Sequence, residues 1–127
     1  MDDQRIMQRT SHLHVNSADV VPEVINRVEG VEEQGHVTVK KMAVGEHILF
    51  LEVFRKKGLI DPVHKHMDHE TVAYLISGKM RLVIGGEEFI ATAGSSWVHP
   101  VGVEHYSEAL EDCLQVEVKS PPRKTWE

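Results

Sequence analysis

The sequence predicts an all-β domain, a barrel or sandwich, on three observations. From Val37 onward, β-branched and aromatic residues gather in short runs; glycines separate those runs; and one link, Gly85-Gly86, is a two-residue joint of the kind hairpins use. A chain of 127 residues encloses one core of ordinary size, so a single domain is expected.

Residues 1–35 carry the weakest pattern. "SADVVPEVINRVEG" has some helical spacing, but Pro22 interrupts it and no capping box supports it, so loop or edge strand is expected. This stretch is set apart as an N-terminal arm, and 36–127 as the barrel. The strands then follow in order: "VTVKKMAV" up to Gly45, "HILFLEVFR" up to Gly58, "TVAYLIS" up to Gly78, "MRLVI" up to Gly85-Gly86, "EFIATA" up to Gly94, "SSWVHPV", and "CLQVEVK". Both positions of a two-residue primed turn need positive φ, which makes Gly85-Gly86 a strong hairpin signal. The last strand splits by alternation into an apolar side, Leu114, Val116 and Val118, and a polar side, Gln115, Glu117 and Lys119. A polar side meets solvent or lines a wet pocket; both readings stay open. Phe54, Tyr74, Met80 and Trp97 are expected in the core.

Composition narrows the partners. Fourteen basic against twenty acidic residues give a net charge of −6 without a Lys/Arg cluster, which argues against nucleic acid and anionic membranes. "MDDQRIMQRTSH" lacks the apolar stretch of a signal peptide, and "HILFLEVF" is too short to span a bilayer. Cys113 is the sole cysteine, so no internal disulfide forms and a reducing compartment, the cytoplasm, is expected.

Chemistry concentrates in "VHKHMDHETVAYLISG", Val63 to Gly78. His64 and His66 stand two apart on an extended segment, so both side chains leave one face and could grip one metal ion. His12 and His14 repeat the spacing with nothing site-like around them, and are expected at the surface.

The wider frame is more specific. Gly58, His64, His66 and Glu70, followed by Gly94, Pro100, Gly102 and His105, stand at the spacings of the two cupin motifs, with Ala109 where the second motif has asparagine. Over roughly residues 45 to 120 the chain resembles the small single-domain cupins. That resemblance implies a double-stranded β-helix, a jelly-roll barrel with a ligand cavity at its mouth. It also implies His64, His66 and His105 as ligands of a divalent transition metal, with Fe, Mn, Ni, Co, Cu and Zn all compatible. A fourth ligand is ambiguous. Spacing from His66 selects Glu70, spacing to Gly78 selects Thr71, and the two face opposite ways along a strand. Glu70 is the better ligand chemically and is taken as the expectation, with His69 as a substitute and Asp68 as a loop residue. His99 reads as a cavity or surface histidine. The alternative to a metal site is a hydrogen-bonded polar interior.

A narrower resemblance lies in "GKMRLVIGGEEFIATAGSSWVHPVGVEH", "ALEDCLQVEV" and "SPPRKTW". These look like the small cupins of pectin and alginate breakdown, which convert 4,5-unsaturated uronates to open-chain keto sugars. Those relatives hold metal with His, His, Gln and His, and carry an Asp and a Phe before a Ser/Thr-Pro-x-Arg turn. Carried across, the Gln position is Thr71, the Asp position Glu117, the Phe position Lys119, and the turn Ser120, Pro121, Pro122 and Arg123. The resemblance implies an enzyme on a small sugar-acid-like substrate, with Glu117 as the catalytic proton carrier. Two other classes stay open: a cupin dioxygenase using Fe or a similar ion, and a non-catalytic cupin that binds a small ligand. Small cupins also resemble one another in pairing, so a homodimer is expected, with the arm docked on a partner barrel.

Overall fold

A computed structural model describes residues 5–127. Twelve strands follow a 3-10 turn at Ser17–Asp19: β1 (Glu23–Val24), β2 (Arg27–Val28), β3 (Val31–Glu32), β4 (Val37–Val44), β5 (Leu49–Arg55), β6 (Ile60–His64), β7 (Glu70–Ser77), β8 (Lys79–Ile84), β9 (Glu87–Thr92), β10 (Ser96–His99), β11 (His105–Ala109) and β12 (Cys113–Ser120). Six form one antiparallel sheet in the order β1-β4-β5-β12-β7-β10, and four form a second in the order β6-β11-β8-β9. No helix among the described residues is long and apolar enough to cross a membrane.

Alternation explains what is enclosed. Leu49, Leu51 and Val53 of β5, Leu75 of β7, and Met80 and Leu82 of β8 turn inward and are buried. Each such side chain removed from water contributes about 1.5–3 kcal/mol before entropy is charged against it. Met80 and Trp97 lie in this core as expected; Phe54 and Tyr74 do not, being 37% and 47% exposed. Their strand neighbours Val53, Arg55, Ala73 and Leu75 take the inward positions, which leaves Phe54 and Tyr74 on the outer face.

The Gly85-Gly86 hairpin forms between β8 and β9, with Ile84 opposite Glu87 and φ of 57° and 83° at the two glycines. Gly78, between β7 and β8, is required twice over. Its φ is 101°, and a Cβ there would stand 2.4 Å from the Asp112 carbonyl oxygen.

The arm lies on its own barrel. β1 extends the six-stranded sheet at its edge by pairing Glu23 with Val39. β2 and β3 make a separate two-stranded hairpin, tied down by bridges from Val28 to Trp126 and from Gln34 to Ile60. Ile25, Val28 and Glu33 thereby become walls of the internal cavity.

Candidate metal centre

β12 turns its polar side inward. Gln115, Glu117 and Lys119 are 0%, 7% and 4% exposed, while Leu114, Val116 and Val118 lie half-buried on the outside. A buried polar group is costly unless partnered, and these are. Arg55 Nε donates to Gln115 Oε1 at 2.9 Å, and Gln115 Nε2 donates to Glu117 Oε1 at 2.9 Å. Lys119 Nζ lies 3.7 Å from Glu117 Oε2 and donates to Thr71 Oγ1 at 2.9 Å. Deeper in, Arg55 stands 3.9 Å from Asp61, which in turn lies 3.5 Å from His64 Nδ1.

Register brings the histidines together. His105 on β11 pairs directly with His64 on β6, so their rings meet with centroids 4.3 Å apart. His66, just beyond the end of β6, places its ring 5.1 Å from His64 and 5.0 Å from His105. One nitrogen from each of the three lies within 4.8 Å of the others. His64 Nδ1 faces the Pro62 carbonyl at 2.8 Å and His105 Nδ1 the Val103 carbonyl at 3.4 Å. A carbonyl only accepts, so each Nδ1 carries the hydrogen and each Nε2 presents a lone pair. Those two Nε2 atoms face one another at 3.0 Å. Burial, then the neighbouring His64, pushes His105 down to about 4. A cation shared between the two lone pairs would relieve that meeting. His66 is held well below the usual imidazole range by burial and then by the Lys119 charge, and its Nδ1 is buried without a hydrogen-bond partner. The donor set fits a divalent transition metal.

Glu70 does not join the three histidines. It opens β7 on the exposed outer side, whereas Thr71 is 1% exposed and faces inward. The placement differs from the chemical expectation because strand alternation permits one of the two to face the cavity, and the register leading to Gly78 selects Thr71. His69 is buried at 1%, with Nδ1 2.8 Å from Asp68 Oδ1 and Nε2 without a partner. Asp68 also lies 3.2 Å from both Arg5 and Arg123, so it is more than a loop residue. His99 is buried and stacks on His105 at 3.7 Å, which settles its cavity placement.

Arg55, Asp61 and Glu33 went unnoticed in the sequence. Arg55 had a signal: it continues the inward series Leu49, Leu51, Val53 at period two. Glu33 had none, because the hairpin fold of the arm puts it at the cavity. Its carboxyl is pushed up to about 9, first by burial and then by the Asp61 carboxylate.

An antiparallel double-sheet barrel whose interior gathers three histidines and an ionic stripe is a β-barrel protein with a metal-compatible site. The cupin domain model matches residues 50–118, and the chain belongs to that family. It is 29% identical over 94 residues to the pectin degradation protein KdgF of Dickeya dadantii, covering 72% of this chain and 86% of that protein. It is 33% identical over 92 residues to the oxalate decarboxylase OxdC of Bacillus subtilis, and spans only 24% of that longer protein's length. The structure of KdgF from Halomonas sp. superposes with a TM-score of 0.67 at 26% identity, covering 69% of this chain and 81% of that one. An RmlC-like cupin from Shewanella frigidimarina superposes at 0.76 over 93% of this chain and 97% of its own, at 21% identity, a likeness of fold.

Proposed function

We propose that this cupin is a metal-dependent enzyme acting by acid–base chemistry on a small, oxygen-rich sugar acid of the unsaturated-uronate kind. The observation that carries the reading is the burial of Glu117 on the cavity wall shared with His64, His66 and His105. A divalent ion held by the three histidines would supply positive charge that polarises a substrate oxygen. Glu117 takes up and returns the proton. Gln115 Nε2 occupies its Oε1 and so fixes the carboxylate plane, leaving Oε2 on the side of Lys119. The apolar wall of Ile25, Val28 and Trp126 limits access of bulk water. Kinship with the pectin degradation protein of Dickeya dadantii supports the substrate class.

The test is turnover of a 4,5-unsaturated uronate by metal-loaded protein, with Glu117→Gln as the near-isosteric control. The variant is expected to keep its metal and lose about 100-fold or more in kcat. Wild-type turnover by the variant refutes the role of Glu117, and oxygen uptake coupled to substrate loss would favour the dioxygenase class. A second reading, a smaller dicarboxylate substrate, is favoured by the cavity volume of about 40 Å³, room for a few water-sized groups. The oxalate decarboxylase relative points the same way. We further infer a cytoplasmic homodimer; the lone buried thiol of Cys113 suits a reducing compartment.

A further inference from the structure

Charge accounting around the cavity points to its ligand. Two cations line it, Arg55 and Lys119, and two carboxylates stand beside them, Asp61 at 3.9 Å from Arg55 and Glu117 at 3.7 Å from Lys119. The third acid, Glu33, keeps its proton at neutral pH because burial and Asp61 raise it to about 9. The protein's own charges are therefore paired off. Three neutral imidazoles add none, and the acids beside them are shared with cations: Glu29, 3.4 Å from His66 Nδ1, pairs with Arg5, and Asp61, 3.5 Å from His64 Nδ1, pairs with Arg55, so a divalent ion on His64, His66 and His105 would bring two positive charges that these pairs do not offset. Glu70, the one carboxylate that spacing offered, lies on the outside. Uncompensated charge at a buried site is expensive, and a ligand that carries the missing negative charge is selected for that reason.

Of the two cations, Arg55 is committed. Its guanidinium reaches Gln115 Oε1 at 2.9 Å, Ser107 Oγ at 3.4 Å and Asp61 at 3.9 Å. Lys119 is not. An ammonium has three donors, and the contacts of Lys119 are one hydrogen bond, to Thr71 Oγ1, and one loose ion pair with Glu117. It is 4% exposed, so no bulk water serves the remainder, and it lines the same cavity as His64, His66, His99 and His105. Thr71, the position that spacing to Gly78 assigns to a fourth metal ligand, has a hydroxyl engaged by this ammonium.

We propose that Lys119 is a specificity-determining residue that binds the carboxylate of an anionic ligand, which lies between the Lys119 ammonium and the three-histidine centre and supplies the negative charge the protein withholds there. This rests on the metal-dependent enzyme reading for the ion, and on nothing in that reading about turnover. A neutral sugar of equal size gains neither the charge-assisted hydrogen bond nor the charge compensation.

The experiment is calorimetric titration of metal-loaded protein with glucuronate, oxalate and glucose, repeated on Lys119→Met and Lys119→Arg, with metal content measured on each preparation. Wild type is expected to bind at least one of the two carboxylates and not glucose. Lys119→Met, which keeps the stem and removes the charge, is expected to bind that carboxylate about 10- to 100-fold more weakly at unchanged metal content. Lys119→Arg, which keeps the charge, is expected to bind more tightly than Lys119→Met; should the methionine variant unfold, Lys119→Arg is expected to retain carboxylate binding on its own, and a folded, metal-loaded Lys119→Arg that does not bind overturns the proposal. Equal carboxylate affinity in wild type and Lys119→Met overturns the proposal, as does glucose binding as well as glucuronate. Loss of carboxylate binding in Lys119→Arg together with a folded, metal-loaded Lys119→Met that still binds overturns it too. Failure of uronate turnover leaves these binding results standing, so the two readings fail separately.

Discussion

His64 and His105 are fixed at one nitrogen by backbone carbonyls and aimed at each other with the second. Such outer hydrogen bonds typically change metal affinity 10- to 100-fold when lost, and losing a ligating nitrogen costs more. Replacing His105 by Ala is therefore expected to lower metal affinity by more than about 100-fold, while Glu70→Gln leaves it within about twofold; elemental analysis after dialysis against a competing chelator reads both. Glu33 gives a pH signature. In the unfolded chain it ionises near 4.5, whereas the fold holds its proton to about 9. Its contribution is thus fully present below pH 4.5 and is lost as pH rises through that window, because ionised Glu33 is disfavoured only when folded. In metal-free protein the Tm of wild type should fall from pH 6 to 9 relative to Glu33→Gln; parallel curves would refute the buried-acid placement. Residue by residue, His64, His66 and His105 were legible through the two cupin motifs that frame them, since the His64–His66 spacing by itself recurs at His12 and His14. Asp61 and Glu33 were not, since a single acid at a strand or loop position looks like any solvated one until the neighbouring elements close around it.

The strands themselves are set by alternation and the turns by glycine. Gly78 and Gly86 both have positive φ, 101° and 83°, but a Cβ at Gly78 meets the Asp112 carbonyl and Cys113, and one at Gly86 meets nothing within 4 Å. Gly78→Ala should accordingly destabilise by roughly 2–3 kcal/mol and Gly86→Ala by about 1, as read by urea unfolding. Equal losses would show that backbone strain alone sets the cost. Glycine-bounded runs made β4, β5, β7 to β10 and β12 readable; β6 and β11, which carry His64 and His105, were not among those runs, and β1, β2 and β3 are two residues each and exist through pairing with other parts of the chain. The direction of β12 was the hardest to read. Its apolar residues face out and its polar ones in, the reverse of the usual half-buried strand, and only a partnered interior makes that arrangement affordable.

Across the whole molecule, the outer face of the six-stranded sheet stands out. Phe50, Phe54, Val72, Tyr74, Ile76 and Val98 are between 37% and 47% exposed, and the half-buried Leu114, Val116 and Val118 of β12 fill the middle. Contiguous apolar surface of this extent marks an interaction face. A second copy of the chain offers the same patch, so a two-fold pairing buries both at once. Light scattering is expected to give twice 14.4 kDa, and Val116→Glu to shift the mass toward a single chain while leaving metal content unchanged. A single-chain mass for wild type across a wide concentration range rules the pairing out. Here the sequence was misleading in detail: Phe54 and Tyr74 read as core because hydrophobicity does not distinguish a barrel's inside from an apolar outer face.

The hairpin of β2 and β3 carries a consequence for time rather than affinity. Its hydrogen bonds tie Asn26 and Arg27 to Glu127, and Glu29 to Thr125, across an interior of only about 40 Å³. On the proposed uronate reading, a sugar acid is larger than this interior, and its entry would require some of those bonds to part. Entry and exit would then be separate events with their own frequency, on the microsecond-to-millisecond scale of loop excursions, and the slower of opening and chemistry would set the pace. Adding viscogen would slow a cage limited by its door and leave untouched one limited by its chemistry.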